Sequence, residues 1–199
     1  MVHDDKRMKK GEQTRVNILH TAIAMIAENG LTEISTAKLA AASGVSKSTI
    51  FHHFKSNDEL LINTLHVVFE ELLQSIKIGE YRDVAHFFDT LGQTMIPVSD
   101  DELPFFKAFL SFFHEGIFNP AYREILVTYS EQMNDLFRIQ LTQLVPKTVN
   151  QETIDSVSRL LLPMVDGIGF HFLLNRDSEK YQQVWNLQTK GILKLLDLS

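Results

Sequence analysis

The sequence predicts an all-α chain of about nine helices, and three observations carry that reading. Apolar residues recur at helical spacing over long stretches. No segment keeps the period-two alternation of a half-buried strand. Turn-forming clusters such as Asn29-Gly30, Gly79-Glu80, Asn119-Pro120 and Asn175-Arg176-Asp177 fall between the helical stretches.

Each element follows from local signals. A basic, polar arm, Met1–Gly11, is expected to precede the first helix, whose apolar face is Ile18, Leu19, Ala22, Ile23, Ile26 and Ala27. Ser35 and Thr36 are both N-cap candidates for a short helix over 37–43 that Gly44 stops, and Ser46 can cap a third helix running to Phe54. Ser56-Asn57-Asp58-Glu59 is a capping box, with Glu59 reaching back toward the amide of Ser56, and it opens a long helix to about Ile78. Further helices are expected near 81–95, 102–117, 120–146, 151–174 and 178–196, with Pro97 in a polar linker and a kink at Pro163.

Composition narrows the chemistry. The chain has no cysteine, which excludes disulfides, thiolate metal sites and a cysteine nucleophile. The charged N-terminus does not read as a signal peptide, and the apolar stretch 160–174 is broken by Pro163, Asp166 and His171, so it reads as too short and too polar to span a membrane. A cytoplasmic protein without cofactor or metal is the expectation. The net charge of −6 is unevenly spread: the first sixty residues hold eight Lys/Arg against seven Asp/Glu, so nearly all the negative charge lies beyond them.

That mildly basic head has the pattern of a helix-turn-helix. Two short helices flank the turn Ser43-Gly44-Val45, Ala40 and Ala41 are small enough for a close crossing, and Leu39, Val45 and Ile50 are spaced to form the contact between the pair. Ser46, Lys47, Ser48 and Thr49 crowd the first turn of the third helix, where hydroxyls and an ammonium can meet phosphates and base edges. His52 and His53 follow one turn on; as neighbours about 100° apart on a helix they do not chelate a metal. Phe51 and Phe54 are expected to turn inward.

The run from Thr36 to Leu61, TAKLAAASGVSKSTIFHHFKSNDELL, resembles the DNA-binding signature of the TetR (tetracycline-repressor-like) regulators, and the likeness extends over roughly residues 12–65. The resemblance implies a domain at 1–56, the arm and helix-turn-helix, and a helical domain at 57–199 for ligand binding and dimerisation. It also implies roles: Thr36 caps the second helix and touches phosphate, Ser46, Lys47, Ser48 and Thr49 sit at the groove, His52 reaches bases or phosphate, His53 phosphate, and Lys55 adds a backbone contact. Two positions depart from the family. Phe51 stands where tyrosine is usual, and Asn57 where lysine is frequent, so affinity leans on Lys47, Lys55 and the arm residues Lys6, Arg7, Lys9 and Lys10.

In the body, a phenylalanine-rich segment (Phe105, Phe106, Phe109, Phe112, Phe113, Phe118) is apolar around most of its helix and is expected to be buried on several sides. Any one of these rings is first a core residue. As a set, Phe109, Phe112 and Phe113 are candidates to wall a cavity for an apolar or aromatic molecule, completed by Met95, Met133, Phe137 and Met164 and oriented by His114, Tyr129, Asn134 or His171. Leu160, Leu161, Met164, Ile168 and Leu195, with Gly167 and Gly169, form an expected self-association surface, and Asp166 needs a partner if buried. The expected whole is a homodimeric repressor released from a palindromic, double-stranded operator by a small apolar ligand. An enzyme with an accessory DNA-binding head is the alternative, but no phosphate loop, nucleophile elbow or zinc-type histidine pair is present in the body. A second alternative is an architectural DNA binder, with weak sequence preference and salt-governed affinity.

Overall fold

A computed structural model of the chain describes residues 2–75, 79–96 and 99–198. Among these there are nine α-helices: α1 (Val2–Asn29), α2 (Thr36–Ser43), α3 (Lys47–His53), α4 (Asn57–Ser75), α5 (Val84–Met95), α6 (Leu103–Phe118), α7 (Pro120–Leu144), α8 (Gln151–Asn175) and α9 (Ser178–Leu195), with a single 3₁₀ turn at Leu31–Glu33. The all-α prediction holds. One correction concerns the N-terminus, where α1 begins at Val2 and absorbs the expected arm. Residues 2–29 carry no proline, so nothing in them obliges the helix to start later.

The caps explain the boundaries. Ser35 caps α2 by accepting from the amide of Lys38 (3.3 Å), which leaves Thr36 as the first helical residue and not the cap. Ser56 accepts from the amide of Glu59 (3.0 Å), and the Glu59 carboxylate accepts from the amide of Lys55 (2.8 Å), one residue earlier than the expected Ser56 amide. Asp83, Asn150 and Asp177 cap α5, α8 and α9 through the amides three residues on. Gly44 ends α2 at φ 68°, ψ 25°, a left-handed conformation that costs a glycine little.

Packing divides the chain differently from the expected 1–56 and 57–199: one compact unit comprises Met1–Leu72 with Asp100–Glu124, the other Leu73–Ser99 with Ile125–Ser199. In the first, α6 lies along α1, with Phe105 edge-on to His20 (6.0 Å between ring centres) and Phe109 edge-on to Phe69 of α4 (6.1 Å). The apolar face expected for α1 is buried here, Ile18, Leu19, Ala22, Ile23 and Ile26 all being shielded from solvent. The phenylalanine-rich helix is therefore part of the head's core. It is also less enclosed than expected: Phe106, Phe109 and Phe112 are buried, while Leu110, Phe113, Ile117 and Phe118 are exposed on its other side.

In the second unit, the indole of Trp185 (α9) is buried and donates to the carbonyl oxygen of Phe88 (α5) at 2.9 Å. Gly92 makes that approach possible, because a Cβ there would lie 2.3 Å from the indole nitrogen. Along α7, Leu126, Tyr129, Met133, Phe137, Gln140 and Leu141 form one buried stripe. α8 continues through Pro163, and it is the one described helix long and apolar enough to cross a membrane. Half of that apolar segment is buried against its own protein, which accounts for its composition by packing.

Candidate nucleic-acid interface

The helix-turn-helix is pinned from three sides. Leu39 of α2 and Ile50 of α3 are fully buried with Val45 half-buried at the turn, so the apolar contact expected between the pair is formed. The side chain of Asn17 donates to the carbonyl of Ser43 (3.2 Å), tying the end of α2 to α1. Arg15 lies over the ring of Phe54 (5.4 Å to the centroid) and donates to Asn63, joining α1, the end of α3 and α4. Phe54 is 1% exposed and anchors α3.

With the inner face fixed, the outer face of α3 is presented as a unit. Ser46, Lys47, Ser48, His52 and Lys55 are exposed; Thr36, Thr49 and His53 are half-buried at its margin. Neither Lys47 nor Lys55 forms an ion pair among the described residues. The Ser46 hydroxyl is already saturated: it accepts from the Thr49 amide (3.0 Å) and is shared with the hydroxyls of Ser48 (2.7 Å) and Thr49 (2.9 Å). Ser46 thus orders the first turn, and Ser48 and Thr49 have hydrogen-bonding capacity left for a ligand. His52 and His53 stack edge-on at 5.3 Å. Burial, then the nearby His52 and Arg15, hold the His53 imidazole below its ordinary pKa, so it is neutral at pH 7 and offers one N–H donor.

Phe51 corrects the expectation. It is 53% exposed, on the same face as Lys47 and Ser48, while Ile50 and Phe54 share the buried face. The signal was available: Phe51 stands four residues after Lys47 and three after Ser48, and so shares their side of the helix. The carboxamide oxygen of Asn57 is buried without a partner, which turns the group expected to offer a weak DNA contact toward the protein. Lys9 and Lys10 are exposed on α1; the side chains of Lys6 and Arg7 lie outside the described residues.

The other candidate residues do not form one constellation. Phe109 and Phe112 are core residues of the first unit, Phe112 edge-on to Tyr122 at 5.5 Å, and Phe113 is exposed. His114 is exposed beside Glu115 (3.4 Å). Tyr129, Met133 and Phe137 share the buried stripe of α7 in the second unit. The side chain of Met95 lies outside the described residues. Met164 and His171 line an open groove of about 400 Å³ between α8 and α9, together with Leu160, Pro163, Gly167 and Val184. Of the expected self-association residues, Leu161 and Gly169 are buried within the protomer, as is most of Ile168, because they face the other helices of their unit; Leu160 and Leu195 are exposed.

Comparison with known proteins agrees with this geometry. Residues 18–64 match the family model of bacterial regulatory proteins, tetR family. The HTH-type transcriptional regulator CymR of Pseudomonas putida is 22% identical, with 89% of this chain and 88% of the relative aligned. The regulator UidR of Escherichia coli K12 is also 22% identical, over 82% of this chain and 84% of its own length. Among solved structures, a transcriptional regulator from Rhodococcus sp. Rha1 superposes with a TM-score of 0.79 at 19% identity, covering 93% of this chain and 98% of its own. A structure from Saccharomonospora viridis, described as a transcriptional regulator in complex with choline, gives 0.67 at 20% identity over 88% and 94%. Nine helices with no strand among the described residues, an exposed hydroxyl-lysine-histidine face on the second helix of a helix-turn-helix, and a family match over that motif agree: residues 18–64 carry the DNA-binding domain of the tetR family of bacterial regulatory proteins, in a chain that resembles HTH-type transcriptional regulators over most of its length.

Proposed function

We propose that the protein is a cytoplasmic, homodimeric repressor that binds a palindromic operator and is released from it by a small, largely apolar effector. The observation that carries the DNA half is the outer face of α3, where Lys47, Ser48, Thr49, Phe51, His52 and Lys55 are held out by the buried Ile50 and Phe54. Two such faces related by a two-fold axis read inverted half-sites at one spacing. The α8–α9 groove, apolar and open on the protomer, supports a dimer in which each copy covers the other's groove.

Release is a population shift. An effector that binds one arrangement of the second unit better than another lowers operator affinity by that differential affinity, and the operator lowers effector affinity by the same factor. The likeness to a structure holding choline supports a small-molecule effector. Selection of bound sequences from random duplex DNA tests the reading: an enriched inverted repeat is expected. Uniform binding at all sequences, with an affinity set by salt alone, is the result that would overturn it.

A further inference from the structure

We propose that the exposed apolar face of α6 packs antiparallel against the same face of a second copy, so that the two DNA-binding heads of a dimer are tied directly to each other. The proposal rests on the homodimer reading above and adds a contact surface outside the α8–α9 groove.

The face lies on the helix that completes the head. α6 belongs to the same compact unit as α1, α2 and α3, and it buries Phe106, Phe109 and Phe112 there. At about 100° per residue, Leu110, Phe113 and Ile117 fall on one outward seam at the i, i+3, i+7 spacing of paired helices, with Phe118 at its edge. These four side chains are between 37% and 70% exposed, and the polar side chains on the same arc are Lys107 and His114. A helix that packs on α1 needs one apolar stripe, and this second stripe is not explained by that packing. At about 200 Å² for a whole side chain of this size, the four present on the order of 400 Å² of apolar surface, the scale of a contact site. That is half of the roughly 800 Å² that one partner gives to a stable interface. The face therefore does not hold two free chains together. It suits chains that another contact has already joined, where the effective concentration is high, and a second copy is the occupant that meets this condition.

The pattern is self-complementary in one orientation. Across a two-fold axis with the helices antiparallel, Leu110 of each copy seats against Ile117 of the other, and Phe113 and His114 flank the axis. Lys107 then lies opposite Phe118 of the second copy, an ammonium against an aromatic ring. Within its own chain His114 stands edge-on to Phe118 at 5.5 Å, which keeps that ring on the face. With the helices parallel, each residue would meet its own copy, and the two Lys107 ammonium groups would face each other.

The chain has no cysteine, so an introduced thiol reports a single position. In the full-length protein under mild oxidation with copper phenanthroline, Phe113→Cys and His114→Cys are each expected to form a covalent dimer. Leu110→Cys and Ile117→Cys should crosslink after mixing and subunit exchange but not alone, because antiparallel pairing sets each of these positions roughly 10 Å along the helices from its own copy. Lys107→Cys, roughly 20 Å from its copy, is the negative control. Sedimentation of the reduced proteins runs beside the crosslinking. Leu110→Cys linking to itself overturns the antiparallel pairing. A dimer in sedimentation with no crosslink at any of the four face positions overturns the α6 contact and leaves the homodimer reading standing; a monomer without crosslinks overturns both. The selection from random duplex DNA, repeated with Ile117→Gln, reads the consequence for the heads. The same half-site is expected with a broader spread of half-site spacings, and a spacing as narrow as that of the wild type would overturn the tie between heads.

Discussion

At the scale of the residue, Phe51 is the side chain whose position changes the chemistry most. A half-exposed phenyl ring on the proposed DNA-reading face has no hydrogen bond to give, so what it would add is apolar contact, with a thymine methyl group the fitting partner in the major groove. Phe51→Ala is expected to weaken operator binding by about 1–2 kcal/mol, and replacing the contacted thymine by deoxyuridine should cost the wild type affinity and Phe51→Ala almost none; fluorescence anisotropy with both duplexes measures this. His53 makes a pH prediction. In the free protein its pKa lies below the ordinary histidine value, whereas a phosphate beside it favours the charged form. DNA binding then takes up a proton, so affinity should rise as pH falls from 7 and level off below the free-state pKa. His53→Gln should flatten that profile.

At the scale of the element, caps and close approaches decide where helices begin and how they meet. Ser46→Ala removes the cap of α3 and the hub of its first-turn hydroxyls. About 1 kcal/mol of stability should go with it, and DNA affinity should fall although the serine itself has no bond to spare. Gly92→Ala puts a methyl group into the space of the Trp185 indole and is expected to cost about 1–3 kcal/mol in thermal or denaturant unfolding, with a red-shifted tryptophan emission. The first helices were legible in the sequence because caps are local: Ser35, Ser46 and Ser56 each act within three residues. What was not legible depended on partners far along the chain. Nothing near Leu161 distinguishes it from Leu160, yet one is core and the other exposed. Nothing in the phenylalanine-rich segment announces that α1 covers one side of it. Phe51 is the exception: its helical angle to Lys47 and Ser48 places it on their exposed side, against the general preference of phenylalanine for interiors.

At the scale of the whole molecule, the proposed DNA contact of an acidic protein rests on a small cationic surface. Lys47→Ala should reduce the slope of log affinity against log salt by about 1 and weaken binding to all sequences alike, whereas the Phe51 change acts at one base position. The groove between α8 and α9 gives a test of assembly that leaves the protomer alone. A Cβ at Gly167 would meet nothing within 4 Å, so Gly167→Leu is expected to fold normally and to interfere only with whatever covers the groove. Sedimentation should show the dimer weakened, and operator affinity should fall with it, since two half-sites are then read independently.

The seating of α6 against α1 bears on how this protein can be cut and recombined. The head is continuous in space but not in sequence, because residues 100–124 complete a core that residues 1–72 begin. A fragment ending after α4 would leave α1 without α6 along it and Phe69 without Phe109, and it should be recovered as aggregate or as a loosely packed species that binds a hydrophobic dye. Grafting this DNA specificity onto another sensor by one crossover near residue 57 should fail for the same reason, unless the recipient's own sixth helix is recut to match. The grafts that fold should be those that carry both segments, two splices for what looks along the chain like a detachable module.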